Sequence, residues 1–239
     1  MTQTDMMGQR AAPRVRPSDP SGLPIGARMR LRAATDAYHR RVDGELSAFD
    51  LTQVADYGRF LLVHAMALPP LEDAMTRSGL RIARPHTAPG LRSSALRADL
   101  EGLGLAPPDP VTILPVTAAE GWGVAYVLEG SRLGGRILAR RVAASGRAAI
   151  TANMRFLNDR GTIAWPAFVA RMEAGLGSAG DLDGAIRGAR MAFEAFEEAL
   201  AHVRSGDRIG GSDGGRRGEG ARPSGDGIGL RISNGEDFG

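Results

Sequence analysis

Apolar side chains recur along this chain every three to four residues, the spacing of one helix face. No segment alternates apolar and polar residues for long enough to predict a strand, and no internal repeat is visible. The pattern predicts an all-α domain of roughly seven helices over residues 27–204. A first helix is predicted over Ala27–Leu46. A second follows "SAFDLT" and runs through "QVADYGRFLLVHAMALPPLEDAMTRSG", with Asp50 and Thr52 as candidate N-caps and a bend near Pro69-Pro70. After a loop at 81–93, "SSALRADLEGLG" predicts a short helix capped by Ser93 or Ser94, and "LAPPDPVTILPV" an extended connection. "TAAE" at Thr117 has the capping-box pattern and opens a long glycine-bearing helix. "SGRAAITANMRFLND" and "TIAWPAFVARMEAGLG" are predicted helical, Pro166 being tolerated in a first turn. The last helix is "GDLDGAIRGARMAFEAFEEALAHVRSG", with Ile186, Ala189, Met191, Phe193, Phe196 and Leu200 broadly on one face.

Composition changes this picture at the two ends. Residues 1–26 are polar and rich in Pro and Gly, and 205–239 are Gly-rich with scattered Arg and Asp; both are expected to be disordered or flexible extensions. The GxGxxG-like fragments in the tail follow no predicted strand, so a dinucleotide site is not supported. With no cysteine, the chain has no disulfide framework, thiolate metal site or cysteine nucleophile. It shows neither a signal-peptide core at its start nor a bilayer-length apolar run, so a soluble cytoplasmic protein without membrane contact is expected. The net charge of +3 is carried by arginine alone, since lysine is absent. These arginines are dispersed and not interleaved with aromatics, which argues against nucleic acid as a partner. Their planar forks suit carboxylate-bearing ligands.

Candidate chemistry is confined to few residues. Of the four histidines, His64 lies in an apolar run as a core histidine would, while His86 and His202 read as loop and helix-end surface residues. His39 has Asp43 four residues on and Arg32 seven residues back, all on one helix face. A carboxylate so placed can orient a ligating imidazole, although a surface histidine with an i,i+4 partner has the same spacing. In "GVAYVLEGSRLGGRIL" (123–138), Gly130, Gly134 and Gly135 open one face of a helix at about 1 kcal/mol each relative to alanine. Such a bare face serves either another helix or a flat ligand. A flat ligand lying between this helix and that of His39 accounts for both features.

Together, "LRAATDAYH…D" and "YVLEGSRLGG" resemble the proximal and distal helices of the heme oxygenase family, in particular its bacteriophytochrome-associated bacterial branch. The similarity extends to "YGRFLLVHAMALPPLE" and "FL…WPAFVARME" and covers most of 27–204. The resemblance implies a helical bundle that holds heme, with His39 as the iron ligand, Asp43 orienting it, and Gly130, Gly134 and Gly135 lying close over the heme. It further implies that Arg32, with Tyr126 and Arg140, serves the heme propionates. Ser131 falls where many members carry a distal aspartate that organises proton-delivering water, and Asp36 occupies a second position that is otherwise basic. The implied activity is a monooxygenase that opens heme to biliverdin with release of CO and iron. Heme is then both cofactor and substrate, O2 and an external electron donor (a reductase or a ferredoxin-type protein) are required, and a bacteriophytochrome could receive the product. The alternative is a heme-oxygenase-like regulatory module that binds heme, biliverdin or a signalling partner without turnover.

Overall fold

The structure is a computed structural model that describes residues 26–80 and 92–210. Residues 1–25 of the predicted arm, 81–91 of the loop holding His86 and 211–239 of the predicted tail lie outside the described residues, whereas 205–210, expected to open the tail, continue the last helix. Among the described residues there are eight helices and no strand. They are α1 (Ala27–Leu46), α2 (Val54–Arg77), α3 (Ser93–Gly102) and α4 (Ala118–Ala144), followed by α5 (Ala148–Thr151), α6 (Arg155–Asn158), α7 (Trp165–Gly175) and α8 (Ala179–Gly210).

Helix α8 is the central element, packing against α4, α1 and α2. Its inward face carries Leu182, Ala185, Ala189, Ala192, Phe193, Phe196, Ala199 and Leu200, while Ile186 and Met191 lie half-buried at the edge of the stripe. Small residues at the crossing with α4 let the two backbones meet. A Cβ added to Gly123 would stand 1.8 Å from the Ala185 carbonyl oxygen, and one on Gly188 2.0 Å from that of Glu120. Gly123 of α4, about two turns before Gly130, and Gly188 of α8 thus serve close helix approach.

Helix α4 begins as its local sequence requires. Thr117 Oγ1 accepts the Glu120 N–H, and the Glu120 carboxylate accepts that of Thr117, which completes a capping box. Other helix starts depend on distant groups. Ser93 and Ser94 do not cap α3: its first N–H groups go to the Glu72 carboxylate of α2. Asp50 and Thr52 do not cap α2 either, and Asp50 instead accepts the Thr52 N–H and hydroxyl in a local turn. The N–H groups of Ala27 and Arg28, which open α1, go to Glu173 of α7.

One predicted helix takes a different form, and a proline pair draws a long-range partner into another. Helix α2 runs through Pro69-Pro70. Proline has no N–H, so Pro70 leaves the Met66 carbonyl without its helical donor, and the Val111 N–H of the extended connection bonds it at 3.0 Å. The stretch 145–159 is not one helix but two single turns, α5 and α6, separated at 152–154. The buried Asp99 carboxylate captures the Arg155 and Phe156 N–H groups, and the Tyr57 hydroxyl donates to the Asn153 carbonyl at 2.7 Å. These long-range partners satisfy the backbone groups that a continuous helix would have used internally.

Candidate functional site

Helices α1 and α4, with α2, α6 and α8 behind them, enclose a cavity of about 480 Å³, within the ordinary range for a ligand pocket. Phe60, Phe156, Phe193 and Phe196 supply much of its apolar lining. The structure brings Arg32, His39 and Asp43 of α1 and Tyr126, Gly130, Ser131, Gly134 and Gly135 of α4 to this one space. Asp36 lies at its edge, paired with Arg40 at 2.9 Å. Arg140 does not join them: it is exposed and lines no part of the cavity.

His39 is held from two sides. Its Nδ1 lies 3.2 Å from Asp43 Oδ2, and its ring meets Phe193 edge-on with centroids 5.8 Å apart. Burial pushes its pKa down, opposed by Asp36 and reinforced by Arg32, so the imidazole is neutral at pH 7. An Nδ1–H donated to Asp43 leaves the lone pair on Nε2. That Nε2 is buried and has no hydrogen-bond partner. A buried neutral nitrogen left unbonded at a cavity wall suits coordination to a metal carried by a ligand. Among the described residues no three His, Cys, Asp or Glu side chains converge as the ligands of a bare ion would. The site therefore offers imidazole nitrogen and no ligand cluster for a bare ion, and a flat metal-bearing macrocycle fits that donor.

On the opposite wall, Gly130, Gly134 and Gly135 put backbone against the cavity. A Cβ on Gly135 would meet only the Leu157 carbonyl oxygen at 3.6 Å and Arg92 Nη2 at 3.8 Å. Here the missing side chain leaves ligand space, whereas at Gly123 it permits helix contact.

Arg92 and His64 line the cavity and were not placed there from sequence. Arg92, just ahead of α3, is 2% exposed and donates from Nη1 to Ser131 Oγ at 2.7 Å. Its guanidinium lies 4.1 Å over the Phe156 ring. Burial lowers its pKa to about 10, and Arg132 acts in the same direction against Asp159, Glu72 and Glu129. Arg132 is also buried and pairs with both Asp159 and Glu129 (3.3 Å), so a compact charged cluster backs this wall. Ser131 in turn donates to the Leu128 carbonyl at 2.8 Å, so its only proton is already engaged. His64 is the second addition. Its Nδ1 bonds the Phe60 carbonyl at 2.7 Å, as a satisfied core histidine should, yet the ring also lines the cavity. Burial drives its pKa down to about 3, so it is neutral. Nothing in the local sequence of Arg92 marked it, because only the packing of α3 against α2 and α6 turns it inward.

A histidine oriented by a carboxylate on one helix, faced across the cavity by a side-chain-free stretch of another, defines an all-helical protein whose site would suit a planar, metal-bearing ligand with its faces toward the two helices. Comparison with known proteins narrows this class. A heme oxygenase of Xanthomonas campestris pv. campestris (strain 8004) is 39% identical over 112 residues, spanning 46% of this chain and 67% of the relative. The structure of the NO- and CO-bound heme oxygenase from Neisseria meningitidis superposes with a TM-score of 0.60 at 23% identity, over 83% of this chain and all of that one. No family model matches the chain. The chain belongs to the heme oxygenase family and has its fold.

Proposed function

We propose that this protein is a heme-degrading monooxygenase that converts heme to biliverdin with release of CO and iron, using O2 and electrons from an external reductase or ferredoxin-type donor. The observation that carries the reading is the buried, unbonded Nε2 of His39, backed by Asp43 and faced by the glycine wall. His39 Nε2 would hold the iron, and Asp43 would keep the imidazole in one tautomer and orientation. Heme, when bound, supplies the redox chemistry and is itself the substrate. The chain supplies orientation and exclusion of water. Gly130, Gly134 and Gly135 admit the macrocycle close to backbone, and the phenylalanines around it keep the slot apolar. Arg32 and Tyr126, both at the cavity, suit the carboxylates of the ligand edge. Arg140, exposed and outside the lining, is not assigned to that role.

Ser131 is assigned an accepting role. With its proton on Leu128 and Arg92 donating to it, the hydroxyl can accept from a water but does not itself deliver a proton. Proton delivery then falls to ordered water beside Arg92 and Ser131. The product's recipient in this reading is a bacteriophytochrome, on the strength of the resemblance in the two helix motifs.

The test is direct. Hemin added to the purified protein should give a Soret band that His39→Ala weakens or shifts, and addition of ascorbate or a reduced ferredoxin should replace it with biliverdin absorption. Absence of a Soret band would overturn the reading. A stable band without turnover would instead support a regulatory module that binds heme, consistent with the engaged proton of Ser131.

A further inference from the structure

Arg92 owes its position to a carboxylate that does not touch the cavity. Glu72 of α2 is 3% exposed and is not part of the lining. It accepts the Arg92 N–H at 2.6 Å, the Ser93 N–H at 3.3 Å and the Ser93 hydroxyl. Since α3 has no side-chain cap of its own, these bonds pin the chain at the point where Arg92 leaves it. The guanidinium is held on its other faces by Ser131 Oγ and the Phe156 ring. Its Nε makes no hydrogen bond, the nearest carboxylate oxygen recorded being Asp159 Oδ2 at 3.8 Å. A second buried carboxylate, Asp99 of α3, bonds the N–H groups that open α6 and so places Phe156 beneath the guanidinium.

We propose that Glu72 is a positioning residue that acts on the cavity through Arg92, holding its guanidinium beside Ser131 as a fixed cation that recognises a small anion bound next to the planar ligand. The ligand-binding part of this inference rests on heme occupying the cavity. The positioning part does not.

Azide is the anionic probe and CO the neutral one, both titrated against the hemin-loaded protein by the Soret band. Glu72→Gln and Arg92→Lys should each weaken azide binding by about tenfold, the equivalent of one hydrogen bond to a charged group, and leave CO affinity at the wild-type value. Glu173→Gln is the control: Glu173 opens α1 through the same kind of bond, far from Arg92, so stability should fall while azide affinity holds. If Glu72→Gln binds azide like the wild type, or loses azide and CO in parallel, Glu72 is a structural cap only and the proposal fails. Should Glu72→Gln not fold, Ser93→Ala, which removes one of the bonds to Glu72, carries the same comparison with a smaller loss expected. In the heme-free protein, a resolved, slowly exchanging Arg92 side-chain NMR signal should disappear in Glu72→Gln and persist in Glu173→Gln; its persistence in both overturns the positioning. A wild-type protein that gives no Soret band refutes the proposed function, and the NMR comparison still decides the role of Glu72.

Discussion

Replacing Gly123 with alanine separates the two uses of glycine along α4. The added methyl would sit 1.8 Å from the Ala185 carbonyl oxygen, 2.5 Å from the Ala189 nitrogen and 2.8 Å from the Ala185 carbonyl carbon, and Cβ contacts below 3.0 Å are essentially unknown. All three atoms are backbone, so no rotamer change relieves the clash. Helices α4 and α8 must part by more than an ångström at the tightest point of their crossing, disturbing the buried Ala185, Ala189 and Val124. Overpacking of this kind costs about 1–3 kcal/mol, and a rigid backbone partner puts it at the upper end or beyond. The gain in helix propensity returns about 1 kcal/mol. A net loss of roughly 2 kcal/mol follows, or a fall in Tm of about 4–8 °C for a chain of this size. Gly135→Ala is the matched control: its methyl meets nothing closer than 3.6 Å, so the propensity gain stands and stability should rise by up to about 1 kcal/mol. The same methyl intrudes on the cavity wall and should weaken hemin binding by about tenfold, the low end of an overpacking cost. Urea denaturation of the heme-free proteins and Soret titration read the two effects independently. A Gly123→Ala protein as stable as the wild type would refute the close crossing, and a Gly135→Ala protein with unchanged hemin affinity would refute the ligand's place over that glycine.

Acid should destabilise the fold through His64. Its folded pKa of about 3 lies below the ordinary 6.5, so its contribution is complete above pH 6.5 and is lost as pH falls toward 3, at about 1.4 kcal/mol per pH unit. His64→Phe should flatten that slope relative to the wild type in pH-dependent denaturation, and an unchanged slope would place the sensitivity elsewhere. Tyr57→Phe removes the 2.7 Å bond to the Asn153 carbonyl and leaves a buried acceptor unpaired, which should cost about 1–3 kcal/mol of unfolding free energy; a loss below 0.5 kcal/mol would show that another donor replaces it. Ser131→Ala should keep hemin affinity within about twofold of wild type but lower biliverdin formation in single-turnover assays, because Arg92 Nη1 loses its acceptor and the water beside it loses one anchor. Full turnover in that variant would remove Ser131 from the proposed chemistry.

Much of the fold was legible in the chain because it rests on local rules. Helical periodicity located α1 at its observed bounds, the capping box set the start of α4, and Pro166 lies in the first turn of α7 as expected, although the predicted helix began three residues early at Thr162. His39 with Asp43, and the glycines of "GVAYVLEGSRLGG", could be paired before any fold was known, since each has a spacing that only a helix makes meaningful. What that reading lacked were groups whose partners lie far along the chain. The division of 145–159 into two turns follows from Asp99 and Tyr57, and the start of α3 from Glu72. The same holds for Arg92, one of thirty arginines in the sequence and without any local mark. Periodicity and capping report energies settled within a turn or two of backbone. Which glycine meets a helix and which meets a ligand, and which buried charge faces the slot, depends on how the helices cross, and only the tertiary structure decided it.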